Sequence, residues 1–185
     1  MELHLIRHPR PDVAPGVCYG QTDVGLAESA AAVAARLRPL LPAGCALIAS
    51  PLRRARLLAE ALGTPQLDPR LMEIHFGDWE GQRYADLGSA LDAWAAAPLD
   101  FAPPGGETPR QMAARVLDFL HDLQATPPAA AVAIVAHGGP LRVIAGHLLG
   151  LPDTHWLGLD FACGEATRID CHDWGTVLRW FNRRA

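Results

Sequence analysis

Short unbroken apolar runs alternate along this chain with longer stretches in which apolar positions recur every three or four residues. Leu3, Leu5 and Ile6 predict a buried strand over 2–7. CALIAS at 45–50, bounded by Gly44 and Pro51, predicts a second, and the apolar run at 130–136 a third. Between them the spacing is helical. Leu26, Ala30, Val33, Leu37 and Leu41 share one side of an alanine-rich helix over about 26–41. Ser50 as N-cap and Pro51 as first helical residue predict a helix running to Leu62, with Gly63 as its stop. Thr108 and Pro109 open a helix whose apolar face is Met112, Val116, Phe119, Leu120 and Leu123. After the third strand, His137 and two glycines turn the chain into a helix ending near Leu149 and Gly150. Residues 71–105 are less regular, with a helical ALDAWAAA inside them. The last thirty residues alternate and break at Gly164 and at Asp173–Gly175, as two or three antiparallel strands do. The alternation of strand and helix implies an α/β sandwich with a largely parallel sheet.

Composition narrows this. A chain of 185 residues, half of them apolar and 19% charged, suits one globular domain. No internal repeat or linker divides it. The net charge of -4 argues against a polybasic surface for nucleic acid or anionic lipid, while leaving room for a local basic pocket. No apolar run approaches the length of a membrane span, and the N-terminus lacks the sections of a signal peptide, so the expectation is a cytoplasmic protein. The four cysteines form no C-x-x-C pair, and the eight histidines no His-Glu-x-x-His pattern. Free thiols and no metal are expected.

The chemistry gathers at the carboxyl ends of the predicted strands, where open α/β sheets bind ligands. Arg7 and His8 follow the first strand. Ser50 follows the second, with Arg53 and Arg54 one turn into the next helix. His137, Gly138 and Gly139 follow the third. A lone histidine at a strand end is ordinarily a hydrogen-bonded surface group. Several potential cations converging on one edge are costly to bury unless an anion joins them. Arginines in a first helical turn oppose the helix dipole, which also suggests an external partner.

LIRHP, YGQTD, SPLRRA, LMEIHFGDWEG, GGET and VAHGGPLR, in that order, resemble the histidine phosphatase superfamily, the phosphoglycerate-mutase-like enzymes. The resemblance runs from the first strand to about residue 142, and the remainder fits the family's closing strands. It implies a three-layer α/β/α sandwich with a mostly parallel mixed sheet, and a small lid-like insertion at about 75–105. It implies a metal-independent phosphomonoesterase working through phosphohistidine, with no cofactor. The substrate is then a small phosphorylated metabolite such as α-ribazole 5′-phosphate. Alternatives are a broad-specificity or sugar-phosphate phosphatase, a phosphoglycerate mutase, or a non-catalytic phospho-ligand module, which the presence of every motif residue disfavours. Residue by residue, His8 matches the histidine that becomes phosphorylated, Arg7 and Arg54 the phosphate-gripping arginines, and His137 the second pocket histidine. The Gly138 amide can approach the phosphate closely. Arg53 reads as a salt-bridging surface residue. Glu73 matches the general acid, with Asp78, Glu80 and Glu107 as rivals and Glu107 also as an orienter of the site.

Two departures stand out. The usual R-H-G is Arg7-His8-Pro9, and proline removes an amide donor. The family's asparagine falls at Ala14, so that phosphate contact is missing or replaced, with Tyr19, Gln21 and Thr22 as the candidates to supply it. Phe76, Trp79, Tyr84, Trp94 and Phe101 are aromatics that could stack on a base, although core packing explains most of them. The apolar C-terminal strands leave room for a homodimer.

Overall fold

The apolar runs become the centre of one six-stranded sheet in a computed structural model that describes residues 1–185. The strands are β1 (Glu2–Arg7), β2 (Ala46–Ala49), β3 (Gln66–Leu67), β4 (Ala131–Ala136), β5 (Ala166–His172) and β6 (Gly175–Arg183). Their order is β3-β2-β4-β1-β5-β6. β3, β2, β4 and β1 run parallel, β5 is antiparallel to β1, and β6 is antiparallel to β5. The mixed, mostly parallel sheet expected from the resemblance is therefore observed.

Why the central strands carry continuous apolar runs is plain from their two faces. Successive side chains alternate across a strand. Leu3 and Leu5 of β1, with Val132, Ile134 and Ala136 of β4, pack under α4 (Pro109–Ala125) and α5 (Gly138–Leu148). Ile6, Ala133 and Val135 face the other way, under α1 (Ala30–Leu37) and α2 (Arg53–Leu62). Both faces are covered, so both registers must be apolar. The remaining helix, α3 (Ser89–Ala96), lies with several 3₁₀ turns in the stretch between β3 and α4.

Three boundaries differ from expectation. The first helix starts at Ala30, capped by Ser29, because Gly25 and Ala27 pair with the 10–12 loop instead. It ends at Leu37, since Pro39 has no N–H and the chain tightens into a 3₁₀ turn. The second helix starts at Arg53, not at Pro51, and Ser50 is not its N-cap. Asp23 accepts the Arg53 amide at 2.7 Å, and the Ser50 hydroxyl is engaged with His137. The expected cap at Thr108 is present as a full capping box with Gln111.

Candidate active site

Three parallel strands end side by side and deliver the site. β1 hands over Arg7 and His8, β2 leads to Ser50, and β4 leads to His137 at the start of α5. His8 and His137 are buried, with ring centroids 5.1 Å apart. His8 Nδ1 lies 2.7 Å from the carbonyl oxygen of Pro9. A carbonyl can only accept, so Nδ1 carries the hydrogen and Nε2 keeps its lone pair. The departure from R-H-G leaves this bond intact. The fold uses the carbonyl of residue 9, which proline retains.

His137 Nε2 lies 2.8 Å from the Ser50 hydroxyl, which also accepts the amide of Leu52. His137 Nδ1 is buried with no partner in the chain, and it carries a hydrogen in the tautomer in which Ser50 donates to Nε2. Arg54 is fully buried and donates to the carbonyls of Gly20 (2.6 Å) and Thr22 (3.0 Å). Arg7 donates to the carbonyl of Phe161 at 2.6 Å. Carbonyls, not carboxylates, hold both guanidiniums, and the Nε of each is buried without a partner. Gly138 opens α5 beside them: a Cβ there would sit 3.5 Å from Arg7 Cζ and 3.3 Å from an Arg142 nitrogen.

Burial pushes the His8 imidazole down to about 3, with Arg54 and Arg7 adding to the effect against the opposing Pro9 carbonyl. Burial likewise holds His137 well below its ordinary range, followed by His8, Arg54 and Arg7. Both rings are thus neutral near pH 7, and desolvation contributes more than the neighbouring arginines. The crowd of guanidiniums suits an anion and repels a metal cation.

Of the four carboxylates in contention, only Glu73 lines the adjoining cavity. Its Oε1 accepts the amides of Ile74 and Gly139, each at 3.1 Å. A Cβ on Gly139 would stand 2.3 Å from that oxygen, so glycine is required for the approach. Glu80 is committed elsewhere, to the amides of Gln21, Thr22 and Phe76 and to the Thr22 hydroxyl. Burial pushes its carboxyl upward, but those donors together hold it below the ordinary range. Glu107 is paired with Arg115 at 2.6 Å.

Thr22 therefore spends its hydroxyl on Glu80, and Gln21 donates to the carbonyl of Glu73 at 2.9 Å. Tyr19 does reach the cavity, with the Arg54 guanidinium 5.1 Å from its ring centroid. Arg53 is exposed, and its backbone rather than its guanidinium finds a carboxylate. Sequence reasoning assigned no part to Arg142. It lines the cavity and donates to the carbonyl of Leu159 at 2.8 Å. Its spacing from Gly138 (i, i+4 on α5) was the available signal.

The cavity is about 530 Å³ and mostly apolar, walled by Phe76, Trp94, Leu99, Met112, Val143 and Trp156. Arg7, Glu73 and Gly139 form its polar end. At its rim Arg110 bridges Asp100 (2.7 Å) and Asp153 (3.0 Å). Among the expected aromatics, Tyr84 joins Phe76 and Trp94 in the lining, whereas Trp79 and Phe101 pack on each other, with centroids 5.5 Å apart.

The family model described as histidine phosphatase superfamily (branch 1) matches residues 3–184. The chain belongs to that superfamily. It is 35% identical to the glucosyl-3-phosphoglycerate phosphatase of Mycolicibacterium vanbaalenii, over 83% of this chain and 76% of that one. It is 28% identical to the adenosylcobalamin/alpha-ribazole phosphatase of Salmonella typhimurium, over 100% and 98% of the two chains. The crystal structure of the alpha-ribazole phosphatase from Shigella flexneri superimposes with a TM-score of 0.91 at 27% identity, covering 100% of this chain and 98% of that one. These histidine phosphatase relatives are named as phosphatases, and this chain is a phosphatase of the same superfamily.

Proposed function

We propose that the protein hydrolyses α-ribazole 5′-phosphate, a phosphorylated riboside of a flat aromatic base, in the cytoplasm during cobalamin assembly. The observation that carries the chemistry is the set of unpartnered buried nitrogens, Arg7 Nε, Arg54 Nε and His137 Nδ1, gathered around His8. They match the demand of a phosphoryl group, whose transfer places charge on three equatorial oxygens.

In this reading His8 Nε2 attacks phosphorus in line with the ester oxygen. The P–O bond breaks as Glu73 gives its proton to the leaving alkoxide. Water then attacks the phosphohistidine, Glu73 takes the water's proton, and the N–P bond breaks to release inorganic phosphate. Arg7 and Arg54 hold the phosphoryl oxygens, His137 and the Gly138 amide add donors, and Tyr19 borders the ester. Thr22 acts on this site through Glu80, by fixing the loop that carries Tyr19.

The substrate reading is supported by the cavity. Its aromatic and aliphatic walls suit a flat apolar base beyond the ribose. The identity to glucosyl-3-phosphoglycerate phosphatase favours a second reading, a phosphorylated sugar. A panel of α-ribazole 5′-phosphate, glucosyl-3-phosphoglycerate, 3-phosphoglycerate and ribose 5-phosphate, compared by kcat/KM, separates them. The first should lead; a lead for glucosyl-3-phosphoglycerate would overturn the α-ribazole reading while leaving the phosphohistidine chemistry intact. The free edge of β6, with Leu178 and Phe181 exposed, supports association with a second copy.

A further inference from the structure

Glu73 sits on a stretch of chain with no regular structure. Residues 72–76 belong to no helix or strand, between one 3₁₀ turn ending at Leu71 and another starting at Gly77. A carboxylate that hands over a proton cannot wander; the Ile74 and Gly139 amides hold the carboxylate itself, but no helix or strand ladder holds the backbone that carries it. The backbone is tied down from α4. Arg115 NH1 donates to the carbonyls of Arg70 and Met72, both at 2.7 Å. Its NH2 donates to the carbonyl of Glu73 at 3.0 Å and to Glu107 Oε1 at 2.6 Å, and its Nε reaches Glu107 Oε2 at 3.1 Å. Glu107 in turn accepts the amide of His75 at 3.0 Å and donates its own amide to the His75 carbonyl at 2.9 Å. From the opposite side, Gln21 donates to the same Glu73 carbonyl at 2.9 Å. One guanidinium and its carboxylate partner therefore fasten the backbone on both sides of Glu73 and at Glu73 itself.

We propose that Arg115, locked in place by Glu107, is the positioning residue that holds Glu73 at the ester oxygen. This rests on Glu73 being the proton donor. Arg115 is absent from the cavity wall and reaches Glu73 through the segment it grips; its charge also helps to hold His137 low, and Arg115→Lys keeps that charge. The planar fork is needed because carbonyls on different residues and a carboxylate are reached at once, which an ammonium on a flexible stem cannot do. Displacing a reacting group by an ångström is enough to cost on the order of a hundredfold in rate.

The test compares leaving groups. kcat/KM reports only the steps up to departure of the leaving group. p-Nitrophenolate leaves without a proton, whereas the alkoxide of ribose 5-phosphate needs one. Arg115→Lys and Arg115→Met should lower kcat/KM for ribose 5-phosphate by about 30-fold or more, and that for p-nitrophenyl phosphate by less than about 3-fold. Glu107→Gln should show the same selectivity to a smaller degree, and Glu73→Gln to a larger one. Thermal unfolding of each variant confirms that the protein compared is folded, and Arg115→Lys is the decisive variant if Arg115→Met does not fold. Equal losses on both substrates for Arg115→Lys, beside a selective loss for Glu73→Gln, overturn the positioning role alone. Equal losses for Glu73→Gln overturn the assignment of Glu73 as proton donor, and the positioning role with it.

Discussion

At His8 a single hydrogen bond decides which nitrogen can react. The Pro9 carbonyl takes the Nδ1 hydrogen, and burial keeps the other nitrogen unprotonated at neutral pH. Gly139 has a comparable effect on Glu73, because its missing side chain leaves room for the carboxylate against the α5 amide. Gly139→Ala should lower kcat/KM by about a hundredfold while leaving the protein folded, since the added Cβ displaces Glu73; steady-state kinetics with near-normal activity would show that Glu73 tolerates the shift. His8, Arg7, Arg54, His137 and Glu73 were legible because each sits at a fixed offset from a strand end or within a short motif. Thr22, Gln21 and Arg142 were not. Their acceptors, the Glu80 carboxylate and the carbonyls of Glu73 and Leu159, lie outside regular elements, and which side chain meets which acceptor depends on packing that local pattern does not encode.

The elements that could be read were those with strong periodicity on both faces or a full cap. β1, β4 and α4 fell close to their expected bounds for that reason. β3 has two exposed residues and no pattern to announce it. The start of α2 was misplaced because Ser50, a good N-cap by type, is held by His137, and Asp23 caps the helix from thirty residues away. α4 carries both the capping box and Arg115, so its first turn supports the site as well as the fold. Thr108→Ala removes the side-chain half of that box and should cost about 1 kcal/mol of stability, read from a denaturant midpoint with an unchanged slope. A loss near zero would mean that packing against the cavity, not the cap, fixes where α4 begins.

Across the whole molecule, stability and chemistry share the same buried imidazoles. In the unfolded chain a histidine takes up a proton below about 6.5, whereas folded His8 resists until about 3 and His137 is also held low. The unfolded state thus binds more protons across this window, so stability falls as pH drops through it and is unaffected by these groups above it. Denaturant midpoints should decline from pH 6.5 toward 4, and His137→Gln should flatten the decline; a flat profile in the parent protein would mean that the rings are not buried neutral. The three layers were foreseeable from strand–helix alternation, and both β-sheet faces obey it. The cavity was not, because its walls come from α3, α4, α5 and the turn at Trp156, which meet only in the folded chain. The central claim is that His8 carries the phosphoryl group between two transfers. It is tested most directly by rapid quenching with a ³²P-labelled substrate and mapping of the labelled peptide. The account predicts a base-stable, acid-labile phosphate on His8 that is missing from His8→Ala. A folded, active enzyme that yields no such label, or one whose label lies on a carboxylate, would contradict it.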